Sequence, residues 1–497
     1  MFERLLQVGR DVRDRNDLRS LVDDCRQLLT ARGESNSLVI AARALERYRR
    51  LSSDAAERFF EALASEFDPD PAEVLRRAES YALTRAPDAL IELWRAAESP
   101  RQELLRRLNR APDATAQIVA MRAKILTRLP THPELKAVEA DFHHLLSSWF
   151  NPGFLNLVQV DWNSPARLLE KLIQHEAVHQ IDGWNDLRRR LEPDRRCFAF
   201  FHPALPDEPL IFVEVALLEA MPDAIAPLLD RRVPPDGRDE RFKVAAFYSI
   251  SNCQPGLRGV SMGDFLIKRV AERLQAEQPR LKAFCTLSPI PGFAGWLAKL
   301  ESVQAIEASR VKPSVLRELD QALRKLRERH GRDLLALVQR QPAARKPVET
   351  IDSADGGAAA PAAGAPLALP RVESAVIALK TAVARRKSDA AADAASDDGA
   401  SDARAADLRT LQRLCALYLL QTSPTDRRPS DPVARFHLNN GARLERINVG
   451  ADLSRKGLRQ SLGLMVNYLY DLEQIEANHE KFVADRVNAS RAVLSLL

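Results

Sequence analysis

Several features that mark common protein classes are missing from this chain. Cysteine is scarce: Cys25, Cys197, Cys253, Cys285 and Cys415 are the only five in 497 residues, an odd count with no CxxC pair. A disulfide scaffold and a cysteine-rich zinc site are both unexpected, and a reducing compartment is the simplest setting. No run of 18 or more apolar residues occurs, so no membrane span is expected. The opening segment MFERLLQVGRDVRDRND has no apolar core of signal-peptide length, and the closing LSLL is not the SKL address; the expected location is cytoplasmic. Charge of one sign is also lacking. Lys plus Arg number 73 and Asp plus Glu 68, a formal balance of +5, too even to make nucleic acid the main partner. A local basic pocket for an anionic small molecule remains open.

What is present is enough apolar material, 45% of residues against 28% charged, to bury cores in two to four domains. Residues 1–147 read as all helix, rich in Ala, Leu, Arg and Glu, with breaks at Pro, Asp and Ser. Asp70-Pro71-Ala72-Glu73 orders an N-cap, a first-turn proline and a capping-box glutamate, and Ser99-Pro100-Arg101-Gln102 repeats the logic. Such a module packs or oligomerises. From residue 148 the pattern changes to an α/β alternation. Residues 150–162 bring Gly, Pro and alternating apolar residues, and strands are expected at 197–203, 209–219, 244–251 and 281–290, with a helix over 263–277. Residues 343–405, rich in Ala, Pro, Gly, Asp and Ser, read as a disordered insertion with a short helix near 372–386. An amphipathic helix is expected over 407–422, and another over 457–473 carrying Asn467, Tyr468 and Tyr470.

Four local patterns carry chemistry. His175-Glu176-Ala177-Val178-His179 is HExxH, which on a helix sets two imidazoles one turn apart for zinc; the extended form fails because Asp182 and Asn185 stand where glycine and histidine belong. Arg258-Gly259-Val260-Ser261-Met262-Gly263-Asp264 lies between a strand and a helix, where backbone N–H groups and the arginine suit a phosphate, as in the coenzyme A loop of acetyltransferases. Leu287-Ser288-Pro289-Ile290-Pro291-Gly292-Phe293 ends a strand with a serine on a proline-stiffened turn. Finally, Phe436-His437-Leu438-Asn439-Asn440-Gly441-Ala442 presents a histidine among polar neighbours, suited to proton delivery or simply to the surface.

Taken in order, FNPGFLNLVQVDWNSPARLLEKL, RRCFAFFHPALPDEPLIFVEVAL, FYSISNCQPGLRGVSMGDFLIKRV, LSPIPGF, ARFHLNNGARLERINVGADLSRKGL and LGLMVNYLYDLE resemble the malonyl-CoA decarboxylase family. The resemblance covers most of 145–340 and 407–480. It implies an α+β chain: a helical oligomerisation domain over 1–147, then an acetyltransferase-like (GNAT-type) α/β catalytic domain over 148–497. It implies malonyl-CoA as substrate, acetyl-CoA and carbon dioxide as products, no metal or organic cofactor, and a homo-oligomer. By motif match Ser288 and His437 correspond to the family's catalytic serine and histidine, Tyr470 to another site position, and Arg258–Asp264 to the CoA-binding segment. Ser261 stands where mammalian members carry glutamate. Two other readings stay open: a CoA-dependent acyltransferase of the same fold, and a zinc hydrolase through His175 and His179.

Overall fold

The computed structural model describes residues 2–30, 33–230, 241–260, 266–306, 311–331, 334–339, 402–421 and 429–497. It divides into two compact units. The first comprises Met1–Met221, Leu228–Cys285 and Tyr470–Ile475; the second comprises Pro222–Pro227, Thr286–Leu469 and Glu476–Leu497. The chain is mixed α+β with a helical N-terminal region.

In the first unit, helices run from Phe2–Thr30 to Lys136–Trp149, and the described residues before Asn156 hold no strand. The opening helix spans 29 residues, far longer than its neighbours. Pro71–Thr84 starts as its sequence dictates: Pro71 occupies the first turn and Asp70 Oδ1 accepts from Ala72 N–H at 3.0 Å. Glu73 does not close a capping box but bonds Arg77 Nε at 2.8 Å. Ser99 does not cap either. Its hydroxyl donates to Asp141 at 2.7 Å, which also receives Arg101 Nε at 2.7 Å. Arg101 is buried, and its Nη1 donates to the Leu63 carbonyl and to Asp68.

The strands of this unit are β1 (Asn156–Val160), β2 (Arg195–Phe201), β3 (Ile211–Leu218), β4 (Val244–Asn252) and β5 (Ala283–Thr286), in that order across the sheet. Strands β1 to β4 pair antiparallel, with Val160 opposite Cys197 and Phe198 opposite Val213. Continuous apolar runs make β2 to β4 buried on both faces, as expected for strands with helices packed on them. Leu169, Leu172, Ile181 and Leu187 pack with Cys197, Ala199 and Phe212 to form a core. All five cysteines are buried and none forms a disulfide.

In the second unit β8 (Met465–Tyr470, whose last residue counts with the first unit) lies between β6 (Ser288–Pro289) and β7 (Arg443–Asn448), antiparallel to both. The expected helix over 457–473 is therefore wrong. Helix Arg455–Ser461 stops at Leu462 in the left-handed region (φ 52°), and Gly463 (φ 77°) turns the chain into β8. The predicted helix over 407–422 spans 402–420, so 402–405 is helical and not part of a disordered insertion. The rest of that insertion, except residues 402–405, and the suggested helix at 372–386 lie outside the described residues. Among the described residues, no helix is long and apolar enough to cross a membrane.

Candidate active site

Ser288 opens β6 opposite Val466. Two residues earlier, Thr286 shares its strand face, because side chains in extended chain repeat every second residue. The Ser288 hydroxyl donates to Thr286 Oγ1 at 2.8 Å, and its oxygen lies 2.9 Å from His437 Nε2. Thr286 Oγ1 also accepts Tyr468 N–H at 3.2 Å, while Asn467 Nδ2 donates to the Thr286 carbonyl at 2.8 Å. Asn467 is held in turn by Asn448 Nδ2 at 2.7 Å and Arg446 Nε at 3.1 Å. The hydroxyl is thus oriented by a buried polar network anchored on β7 and β8.

His437 arrives on the short helix Pro432–Asn439, started by Asp431, whose carboxylate accepts from Val433 and Ala434 N–H, both at 3.0 Å. Its ring stacks on Tyr468 at 4.6 Å and 28°. A surface position was one of the two readings its polar neighbours left open, and the histidine is instead 3% exposed. Burial pushes its pKa down to about 3, so the ring is neutral near pH 7. The tautomer of the ring sets which of the two groups, Ser288 or His437, donates in their contact.

Tyr470 belongs to the first unit, fully buried, with its ring 6.4 Å from Phe247 and its hydroxyl pKa raised by burial. Arg258, Gly259 and Val260 also belong to that unit; Ser261, Met262, Gly263 and Asp264 lie outside the described residues. The Arg258 side chain is exposed, but the N–H groups of Arg258 and Val260 are used inside the turn, on Pro255 and Leu257 carbonyls. The turn is fastened to the helical region. Arg122 Nη1 donates to the Gly256 carbonyl at 2.6 Å, and His143 Nε2 meets the Gly259 carbonyl at 3.1 Å. A Cβ at Gly256 would run into the Val119 carbonyl, and Gly259 sits at φ +82°, so both positions require glycine.

The HExxH motif is not helical. Its helix, Ala166–His175, ends at the first histidine, so the motif does not lie on a helix as the zinc reading needs. Glu176 is committed instead: it accepts from Ser249 Oγ at 2.8 Å and from Val178 and His179 N–H, both at 2.7 Å. The segment is pinned further by Arg190, whose Nη2 donates to the His179 carbonyl at 2.9 Å and whose Nη1 donates to Glu214 at 2.8 Å. His175 and His179 are therefore not one helical turn apart, which is the arrangement the zinc reading required. Among the described residues, no group of three or more His, Cys, Asp or Glu is placed to hold a metal ion.

Sequence reasoning missed Thr286, Tyr468 and Asp431. For Thr286 the signal was there, in the Thr-Leu-Ser alternation of a strand end. For Asp431, the Asp-Pro start of a helix was readable by the same rule that picked out Asp70. Nothing local marked Tyr468 as the surface beneath the imidazole.

The chain matches the family model for the malonyl-CoA decarboxylase C-terminal domain over residues 153–364 and 366–497, and the N-terminal domain model over 67–150. It is 34% identical over 427 residues to the mitochondrial malonyl-CoA decarboxylase of Rattus norvegicus, covering 84% of this chain and 75% of that one. The mitochondrial enzyme of Anser anser anser is 33% identical over 400 residues, covering 79% and 68%. Crystal structures of malonyl-CoA decarboxylase from Rhodopseudomonas palustris (40% identity, TM-score 0.74) and Agrobacterium vitis (42%, 0.73) each cover 96% of this chain and are themselves 99% covered. On sequence and on fold alike, this chain belongs to the malonyl-CoA decarboxylase family.

Proposed function

We propose that this family member converts malonyl-CoA to acetyl-CoA and carbon dioxide at the Ser288–His437 pair. The reading is carried by the 2.9 Å approach of Ser288 Oγ to His437 Nε2, two residues 149 positions apart in the chain. Loss of carbon dioxide from a malonyl thioester leaves an enolate whose charge sits largely on the thioester oxygen. Catalysis then needs a donor for that oxygen, a held carboxylate and a proton for the α-carbon.

Ser288 supplies the hydroxyl, turned toward the malonyl carboxylate or the thioester oxygen. It acts as an orienting donor rather than a nucleophile. An imidazole whose pKa has fallen to about 3 is too weak a base to ionise a serine. His437 supplies the proton. The α-carbon of a thioester enolate is a far stronger base than an imidazolate, so a neutral ring can protonate it, as neutral histidines polarise enediolates elsewhere. The proton balance closes. The malonyl carboxylate leaves as carbon dioxide, its bonding pair stays on carbon, Nε2 gives that carbon a proton, and solvent restores the ring.

The finer fold reading, an acetyltransferase-like (GNAT-type) catalytic domain over 148–497, belongs to the same proposal. It is supported by the order β4, glycine turn, helix Leu266–Glu277, β5. In it Arg258, Gly259, Val260, Ser261, Met262, Gly263 and Asp264 receive the CoA phosphates, and Tyr470 adds a hydroxyl to the site. Arg258→Ala is expected to raise the dissociation constant for CoA roughly tenfold, the value of one charge-assisted hydrogen bond, with less effect on turnover at saturation. Calorimetric titration that finds an unchanged constant removes Arg258 from the site.

The proposal extends to turnover without metal or organic cofactor, to a cytoplasmic location, and to self-association through the helical domain over 1–147. Support for the last lies in helices Pro71–Thr84 and Pro87–Ala97, which bury no residue and leave Leu83 87% and Trp94 65% exposed. Leu83→Glu with Trp94→Glu should shift sedimentation toward the monomer; an unchanged profile would exclude this face.

The deciding experiment is release of carbon dioxide and acetyl-CoA from malonyl-CoA with no acceptor amine and with chelator present. A dependence on an acceptor would favour the acyltransferase reading, and loss of activity on chelation would defeat the cofactor-free mechanism.

A further inference from the structure

We infer that Asp431 is a positioning residue for the Ser288–His437 pair, an inference that rests on reading that pair as the reacting groups. Asp431 is wholly buried and its two carboxylate oxygens do different work. Oδ1 accepts Val433 and Ala434 N–H, the ordinary cap of the helix that carries His437. Oδ2 leaves that helix altogether. It accepts the Tyr418 hydroxyl at 3.3 Å and Gly292 N–H at 3.5 Å.

Gly292 closes the turn that begins at Ser288, only four residues on, with Pro289 and Pro291 stiffening the chain between them. His437 is six residues beyond Asp431, less than two helical turns. Asp431, the capped helix, His437, Ser288, the proline turn and Gly292 therefore form a closed ring. Its only non-covalent joints are the Ser288–His437 contact and the Asp431–Gly292 bond. In a ring of stiff segments, one joint governs the spacing at the other.

The neighbourhood is built for this approach. A Cβ at Gly292 would run into the Tyr418 hydroxyl. The Tyr418 ring is in turn wedged against Phe293 at 5.8 Å and Trp296 at 5.2 Å, which aims its hydroxyl at the carboxylate. A cap alone needs one oxygen, and serine caps about as well as aspartate. The second oxygen has no capping role; it takes Gly292 N–H, on the serine turn, and the Tyr418 hydroxyl.

Asp431→Ser separates the two roles, since it keeps a capping oxygen and deletes the arm to Gly292 and Tyr418. The expected result is a kcat lower by roughly 10- to 100-fold, the usual effect of about 1 Å of misplacement, with KM for malonyl-CoA within about threefold. The imidazole nitrogen signals of His437, followed by NMR in the histidine-labelled full chain, should shift as its bond to Ser288 loosens. Tyr418→Phe, which removes one donor and leaves the cap intact, should lower kcat about threefold with a smaller shift of the same signals. Wild-type kcat in Asp431→Ser with only a lower melting temperature would reduce Asp431 to a cap and overturn the inference, as would unmoved His437 signals. Should Asp431→Ser fail to fold, Tyr418→Phe decides: unchanged kcat and unchanged signals refute. Full activity in Ser288→Ala and His437→Ala would instead sink the catalytic reading, while the His437 signals still report whether Asp431 sets the spacing.

Discussion

Replacing His437 with alanine is expected to lower malonyl-CoA turnover by roughly 10²-fold or more, and Ser288→Ala to do the same, with both variants still folded. The two act on one step. Without the imidazole the enolate has no positioned acid. Without the hydroxyl, the carboxylate and thioester oxygen lose their orienting donor. Their effects should therefore be less than additive in the double variant. Steady-state kinetics with circular dichroism as the folding check decides the matter; near-wild-type turnover in either variant removes that residue from the mechanism.

The pH dependence follows from the same burial. An imidazolium acid with an ordinary pKa would lose activity as pH rises through about 6.5. A ring held neutral by a pKa of about 3 has no such transition, so kcat should be flat from about pH 5 to 8. Stability carries the opposite signature. The folded-state pKa lies below the unfolded value, so the unfolded chain binds the extra proton. The contribution is fully present above about pH 6.5 and is lost as pH falls toward about 3. Acid unfolding of the wild type should steepen across that window, and His437→Ala should lessen the slope. A kcat that declines with an apparent pKa near 6.5 would mean the ring works as a cation.

The second large effect is on stability. Arg190→Met should destabilise the first unit by roughly 3–5 kcal/mol, because it strips the partner from a buried carboxylate. Glu214 is 1% exposed, and burial pushes its pKa up against the pull of Arg190. The same guanidinium also satisfies the carbonyls of His179 and Gln180 and bonds Asp186. Pairing the change with Glu214→Leu should recover part of the loss, since an apolar pair replaces a buried ion pair at little cost. Denaturant melts read both values. If Arg190→Met stays within about 0.5 kcal/mol of wild type, the network is not what holds the HExxH segment in place.

Where local chemistry and tertiary demand agreed, the elements were readable. Asp70-Pro71 starts its helix as its residue types require, and the apolar runs at β2, β3 and β4 are strands. Where they conflicted, the reading failed for identifiable reasons. Residues 465–470 are apolar apart from Asn467 and lack the period-two alternation of a half-exposed strand, so β8 resembled the end of a helix. The helix through HExxH stops at His175 because Glu176 finds better partners in Ser249 and two backbone N–H groups, a competition invisible without β4.

Sequence alone determined the family and the pairing of a serine block with a histidine block. Only the tertiary structure decided the chemistry of the pair. Proton affinity depends on which atoms exclude water, and those around His437 include Tyr468 and Ser288, far away in the chain. The neutrality of its ring, and the second carboxylate oxygen that spaces it from Ser288, exist only once these segments meet.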